Sequence, residues 1–308
     1  MERKKLSAAK LRQYLPLYLM MLPALIYLFI NNYIPMAGIV VAFKKFNAND
    51  GMFGSPWAGF TNFTYLFGSN DTAIIIRNTL LYNVAFIIVN TVAGIMLAIF
   101  ISDVVSHKLK KLYQSAVLLP FLISIVVVSY IVFALLSHEN GMLNKGLFPA
   151  LGIEPVQWYN DTTWWPLILI VTNCWKGVGY GTLIYIAAIA GIDNSFYEAA
   201  ELDGANKWQQ ITKITLPCLV PSIITLLIMN IGKIFYSDFG LFYQVPQNSG
   251  SLFTVTNTID TYVYRALISS GGIGRSSAAS LFQSVVGFVL VMVSNLIVRK
   301  ASPDNAIF

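Results

Sequence analysis

The residues with the most distinctive chemistry lie in one polar stretch, Ile192 to Pro217, set between two long apolar segments. Glu198, Ala199, Ala200, Asp203, Gly204 and Ala205 follow one another closely within it. Asn194 or Ser195 is suited to cap a short helix there, and Glu198 then falls early enough to favour the positive end of the helix dipole. Ala199, Ala200 and Leu202 give that helix a small apolar face. Asp203-Gly204 ends it, because glycine tolerates the backbone angles of a sharp turn. A second amphipathic stretch follows, with Ala205, Trp208, Ile211 and Ile214 near helical spacing, and Pro217 marks the start of the next apolar segment. A helix–turn–helix at a membrane surface could simply lie on lipid. The first helix is acidic, however, whereas anionic lipid attracts basic faces, so a protein partner fits the residue types better. Small alanines permit close approach, and Glu198 can reach a basic group across an interface.

A second set of polar residues sits inside otherwise apolar segments. Asn173, Lys176 and Tyr180 share one helical face, as do Asn230, Lys233, Ser237 and Asp238 further on, and Asn90 lies in an earlier segment. A charge at the bilayer centre costs about 2.5–3.5 kcal/mol on insertion scales, so such groups face a bundle interior or a cavity. These residues are candidates for a hydrated route. The alternative is that Lys176 or Lys233 snorkels to an interface or pairs with Asp238. Other chemistries lack their signatures. There is no GxxxxGK[ST] nucleotide loop, and Gly271-Gly-Ile-Gly-Arg-Ser-Ser277 reads as a turn before the last apolar segment. HExxH and GxSxG are absent, and His107 and His138 fall on opposite sides of the expected membrane. Cys174 and Cys218 have neither CxxC nor metal-ligand spacing. No catalytic residue or metal site is expected.

The elements that must position these residues follow from composition. Hydrophobic residues make up 56% of the 308 and charged residues 11%, with a mean hydropathy of +0.65. A soluble domain carries about 25% charged residues, so this is expected to be an all-α polytopic membrane protein. Six apolar segments are expected to span, at about 15–43, 79–102, 113–137, 166–190, 218–242 and 279–298, each long enough to cross as a helix. The first follows Arg3, Lys4, Lys5, Lys10 and Arg12 but runs past a signal-peptide core and shows no small-x-small site, so it reads as an uncleaved span. The resulting layout is a basic tail at 1–14, a six-span membrane domain at 15–299 containing the 192–217 loop, and a tail at 300–308.

The net charge of +6 is better explained by membrane orientation than by nucleic acid. Placing the amino terminus in the cytoplasm puts twelve Lys and Arg on that side, namely the five above with Lys108, Lys110, Lys111, Lys207, Lys213, Arg299 and Lys300. Six lie opposite: Lys44, Lys45, Arg77, Lys145, Arg265 and Arg275. Both termini are therefore expected in the cytoplasm. The outer segments Gly51–Phe63 and Val156–Pro166 mix turn residues with aromatics, which suits interfacial anchoring or a docking surface for an extracellular partner.

Glu198-Ala-Ala-x-x-Asp-Gly-Ala205, followed by Leu216-Pro217, resembles the EAA signature of permease subunits of ATP-binding-cassette importers. The resemblance covers nearly the whole chain. Asn32–Phe43, Gly54–Phe60, Arg77–Thr79, Leu119-Pro120, Trp175-Lys176 and Asp260-Thr-Tyr-Val-Tyr264 resemble maltose-type sugar permeases, in the branch associated with polysaccharide and oligosaccharide uptake. The resemblance implies a type I importer permease fold with a cytoplasmic coupling helix between the fourth and fifth spans. Glu198 is then the charged anchor, Ala199 and Ala200 the packed face, and Gly204 the bend, with Asp203 and Ala205 beside it. It further implies a second homologous permease subunit, two cytoplasmic ATPase subunits that bind the ATP and Mg²⁺, an extracellular solute-binding protein and a sugar substrate. The implied site is the bacterial cytoplasmic membrane. Competing expectations are an importer permease for a non-sugar solute, an ion-coupled secondary transporter, for which no matching halves are visible, and a membrane enzyme.

Overall fold

The computed structural model describes residues 8–68, 70–268 and 272–301. Arg3, Lys4 and Lys5 of the expected basic tail, the expected turn at Gly271 and most of the 300–308 tail lie outside these residues. The described chain is helical, with a single isolated bridge between Lys44 and Trp57. It divides into two compact units, Met1–Phe67 with Ala266–Leu281 and Gly68–Arg265 with Phe282–Phe308.

In the first unit, α1 (Ala8–Leu28) continues through a wide turn at Phe29–Tyr33 and the short Ile34–Met36 into tighter turns at Ala37–Phe43. The expected apolar run is thus one span, Tyr14–Phe43, but its helical period changes along the way. Asn31 and Asn32 donate back to the Tyr27 and Leu28 carbonyls at 2.9 and 3.3 Å, and Pro35 supplies no N–H to the ladder. In the aromatic loop that follows, the Phe43 ring stacks on Trp57 at 5.8 Å and meets Phe60 and Phe63 at 5.6 and 5.4 Å. Asn62, on α2 (Thr61–Gly68), pins the loop by donating to the Ala42 and Lys44 carbonyls, each at 2.9 Å.

The second unit begins with α3 (Asn70–Ser102), which starts well before the expected residue 79. Its polar opening is accommodated because Asn78 donates to the Thr254 and Asn257 carbonyls at 3.1 and 3.0 Å. The expected span 113–137 is not one rod: α4 (His107–Leu122) and α5 (Ile125–Leu136) meet at a 93° bend. Pro120 weakens the end of α4, Ile123 is extended, and Ser124 caps α5 by accepting from the Val126 amide at 3.4 Å.

Next come α6 (Trp165–Ala190) and α7 (Asn194–Leu202). The expected fifth span, 218–242, also differs. Its helix α8 (Lys207–Ile231) starts earlier, absorbing the second half of the polar loop through a wide turn at Ile211–Thr215. It then breaks over residues 232–238, and a short α9 (Phe239–Gln244) follows. The chain continues with α10 (Ile259–Ile268) and α11 (Ile273–Ala301), the latter beginning before the expected 279. Among the described residues, five helices are long and apolar enough to cross a bilayer, or six if α4 and α5 count as one bent span.

Helices in lipid are held by close packing and hydrogen bonds more than by water exclusion. Tyr82 and Phe86 of α3, Trp165 and Leu169 of α6, and Leu241 and Phe242 of α9 form one buried cluster. Tyr159, from the second aromatic segment, packs edge-on against Trp165 at 5.2 Å. Gly179 brings α6 against the α4 backbone so closely that a Cβ there would lie 2.2 Å from the Val117 carbonyl oxygen.

Candidate functional site

The polar loop is built as a rigid corner. Asp193, not Asn194 or Ser195, caps α7: its carboxylate accepts from the Ser195 amide at 2.9 Å. That backbone hydrogen bond, with a further one from the Ser195 side chain, holds the Asp193 carboxyl below the usual carboxylate range. At the other end Gly204 adopts φ +77°, the left-handed region where glycine carries no Cβ penalty. The Ala205 amide reaches the Ala200 carbonyl at 2.8 Å and the Gly204 amide that of Glu201 at 3.0 Å, which closes the helix with a Schellman motif. Asn206 then opens α8 with a capping box: its side chain accepts from the Gln209 amide at 2.9 Å, and Gln209 accepts from the Asn206 amide at 2.8 Å.

One side of α7 is tied to this corner. The Tyr197 hydroxyl lies 2.9 Å from that of Thr215, and Gln210, only 4% exposed, donates to the Ala205 carbonyl at 3.4 Å. Ala200 and Ala205 are half-buried here. Glu198, Ala199, Asp203 and Gly204 face outward. So do two large apolar side chains, Phe196 at 58% and Leu202 at 90% exposure. Phe196 was not marked by sequence reasoning, although its spacing of three from Ala199 places it on the same face.

The second set of residues converges. The faces of α3, α6 and α8, with the break after it, wall a cavity of about 570 Å³. Asn90, Asn173, Tyr180, Asn230, Lys233, Ser237 and Asp238 all line it. Asn90 donates to Asn173 at 2.8 Å, and the Asn90 side-chain oxygen is buried with no hydrogen-bond partner among the described residues. Asn83, Thr91, Tyr185 and Tyr236 also line the wall and were not expected. Asn83 sits seven residues before Asn90, two turns along one helical face, and that spacing was the available signal. Of the residues expected on one face of the fifth span, only Asn230 is helical; Lys233, Ser237 and Asp238 belong to the break. Asp238 does not pair with Lys233, because its carboxylate caps α9 by accepting from the Leu241 amide at 3.1 Å.

Lys176 is placed elsewhere. Its ammonium donates to the Phe121 and Ile123 carbonyls at 3.1 and 2.9 Å. The α4–α5 bend strips these carbonyls of helical partners, and the lysine supplies them. It therefore serves the bend and does not line the cavity.

Bilayer-length helices that wall a polar cavity describe a membrane permease subunit. Residues 90–303 match the family model described as binding-protein-dependent transport system inner membrane component. The chain belongs to this family and is a multi-pass permease subunit of the inner, cytoplasmic membrane. It is 32% identical over 289 residues to protein LplB of Bacillus subtilis, covering 94% of this chain and 90% of that protein. It is 33% identical over 304 residues to the polygalacturonan/rhamnogalacturonan transport system permease protein YteP of the same organism, covering 99% and 94%. Among solved structures, it is similar to a chain of a bacterial alginate ABC transporter in complex with alginate pentasaccharide-bound periplasmic protein. That match has 32% identity and a TM-score of 0.87, over 97% of this chain and 99% of the other.

Proposed function

We propose that this permease subunit forms half of the translocation pathway of an ATP-driven, binding-protein-dependent importer of oligosaccharides or polysaccharide fragments. The observation that carries the substrate class is the cavity wall, where the carboxamides of Asn83, Asn90, Asn173 and Asn230 stand among the rings of Tyr180 and Tyr236. Carboxamides exchange hydrogen bonds with sugar hydroxyls, and aromatic planes cover the apolar faces of sugar rings. The unpartnered Asn90 oxygen adds an acceptor for a hydroxyl or a water. The carbohydrates named for YteP and for the alginate transporter support the same class.

Tyr180 and Lys233 are exposed in the isolated chain, which suits a second, related permease completing the wall. The lysine and arginine bias supports a cytoplasmic position for both termini, and with them α7. There Phe196, Ala199 and Leu202, flanked by Glu198 and Asp203, would seat in a cleft of an ATP-binding-cassette ATPase. Two such subunits would bind ATP and Mg²⁺ and move the corner at Gly204. The solute-binding protein would dock on the opposite face.

The test is reconstitution of the whole complex in proteoliposomes, with binding protein outside and ATP inside. Gly204→Asp or Glu198→Lys is expected to abolish ATP-driven oligosaccharide uptake while the chain still inserts. Normal uptake by a well-inserted Gly204→Asp variant, or uptake with no ATPase subunit present, would overturn the reading.

A further inference from the structure

The break at residues 232–238 is the least regular backbone on the cavity wall, yet its polar groups are held from three sides. Asn83 of α3 donates to the Ile234 carbonyl at 2.9 Å. Gln283 of α11, 2% exposed, donates to the Phe235 carbonyl at 2.6 Å. Asp260, in the first turn of α10, does the rest with one carboxylate oxygen: it accepts from the Ser237 amide at 2.6 Å, the Ser237 hydroxyl at 2.8 Å and the Gln283 amide at 3.0 Å. Non-helical backbone persists at membrane depth only where protein or a water-lined cavity satisfies it. Here the satisfying groups are side chains from α3, α10 and α11.

Asp260 has no cation within ion-pair distance among the described residues. Its carboxyl oxygen is instead engaged by these N–H and O–H donors, at the amino end of a ten-residue helix. The surroundings are fixed as well. The Ile259 amide donates to the Thr79 hydroxyl at 3.0 Å and the Thr258 amide to that of Thr261 at 2.9 Å, all three threonines or their partners being fully buried. The Ser237 hydroxyl also lies 2.7 Å from the hydroxyl of Thr258. A carboxylate so anchored can hold the segment in one shape, and that segment carries Lys233, Tyr236 and Asp238 into the cavity.

We propose that Asp260 is a positioning residue for transport: its carboxylate sets the broken turn of the fifth span so that Lys233, Tyr236 and Asp238 are presented to the passing solute. The proposal rests on the reading of the cavity as the translocation pathway. Asp260 touches no solute itself; it acts through Ser237 and Gln283.

Two readouts test it in the assembled transporter. The first needs no substrate. In a background with Cys174 and Cys218 replaced by serine, single cysteines at positions 236 and 180 are labelled with a water-soluble maleimide. Asp260→Asn is expected to change the labelling rate at 236 several-fold and to leave the rate at 180, on α6, unchanged. The second is uptake of oligogalacturonides or alginate oligosaccharides, whichever the wild type imports. Asp260→Asn is expected to raise the half-saturation concentration about tenfold, the loss of one charge-assisted hydrogen bond, with ATPase co-purification retained. Asp260→Glu, which keeps the charge but displaces it, is expected to rescue poorly. If Asp260→Asn fails to insert, Gln283→Ala loosens the same clasp and carries both readouts.

An unchanged labelling rate at 236 overturns the positioning role, whatever happens to uptake. A changed rate with unaltered uptake, in a protein where Lys233→Met also leaves uptake unaltered, overturns the pathway reading on which the proposal stands. A changed rate with unaltered uptake, in a protein where Lys233→Met impairs it, overturns the proposal alone.

Discussion

Lys176→Met separates a structural lysine from a transport lysine. Methionine keeps most of the side-chain length and removes only the ammonium. What is lost is a pair of charge-assisted bonds, to the Phe121 carbonyl at 3.1 Å and the Ile123 carbonyl at 2.9 Å. Hydrogen bonds from a charged group contribute about 1.5–3 kcal/mol each. Lys176 is half-buried, so the lower half of that range applies, and two bonds give about 3–4.5 kcal/mol. The contact of its ammonium with the Phe121 ring, 5.7 Å from the centroid, adds about 0.5–1 kcal/mol. The two carbonyls left behind sit at a bend where the helix offers no substitute donor. Reversible denaturation in mixed micelles should therefore show a clear destabilisation, with Lys176→Arg milder because it retains donors. The half-saturation concentration for uptake should stay at its wild-type value. A stability change below about 0.5 kcal/mol, within the scatter of surface substitutions, would refute this reasoning. A raised half-saturation concentration with unchanged stability would return Lys176 to the cavity.

Gly179→Ala should destabilise the packing of α4 on α6 by more than the 1–3 kcal/mol typical of about one extra methylene in a filled core, because the added carbon meets backbone at 2.2 Å. Thermal unfolding in detergent measures this, and wild-type stability would mean the two helices are further apart. The Asp193 cap predicts a pH dependence for α7. Its carboxyl is held below the usual range by the Ser195 amide and side chain, so the folded helix binds its proton at lower pH than the unfolded segment does. The stabilisation is complete above the ordinary carboxylate range and is lost as pH falls through the depressed value. Amide-exchange protection over 194–202, corrected for intrinsic rates, should follow that course and lose its pH dependence in Asp193→Asn.

The sequence disclosed the loop best where a residue type has one structural use. Gly204 could end α7 because only glycine enters the left-handed region without penalty, and the structure gives it φ +77°. The cap was misplaced by one or two residues, from Asp193 to Asn194 or Ser195, since all three types cap helices about equally well. The α4–α5 bend was hidden by composition: Leu122-Ile-Ser-Ile-Val126 is apolar but for one serine, and only Pro120 and Ser124 hinted at a break. The break after Ile231 was likewise masked by apolar neighbours, although Gly232 and the capping Asp238 were visible. Convergence of Asn90 with Asn173 was foreseeable only as shared polarity, because nothing local encodes a contact between residues so distant in sequence. The role of Lys176 was illegible for a simpler reason. Its partners are main-chain carbonyls, which every residue has, and only the bend makes those two available.

The corner at Gly204 has a mechanical corollary. The helix Lys207–Ile231 continues through its wide turn as a strut of about 37 Å at 1.5 Å per residue. Its near end is tied to α7 by the Tyr197–Thr215 hydroxyl contact and by Gln210, which donates to Glu201, and its far end stops beside Lys233. A tilt of about 5° imposed at the near end swings the far end by about 3 Å at that length, comparable to the size of a water molecule. A rotation imposed at the corner would thus be felt at the cavity wall beside Lys233.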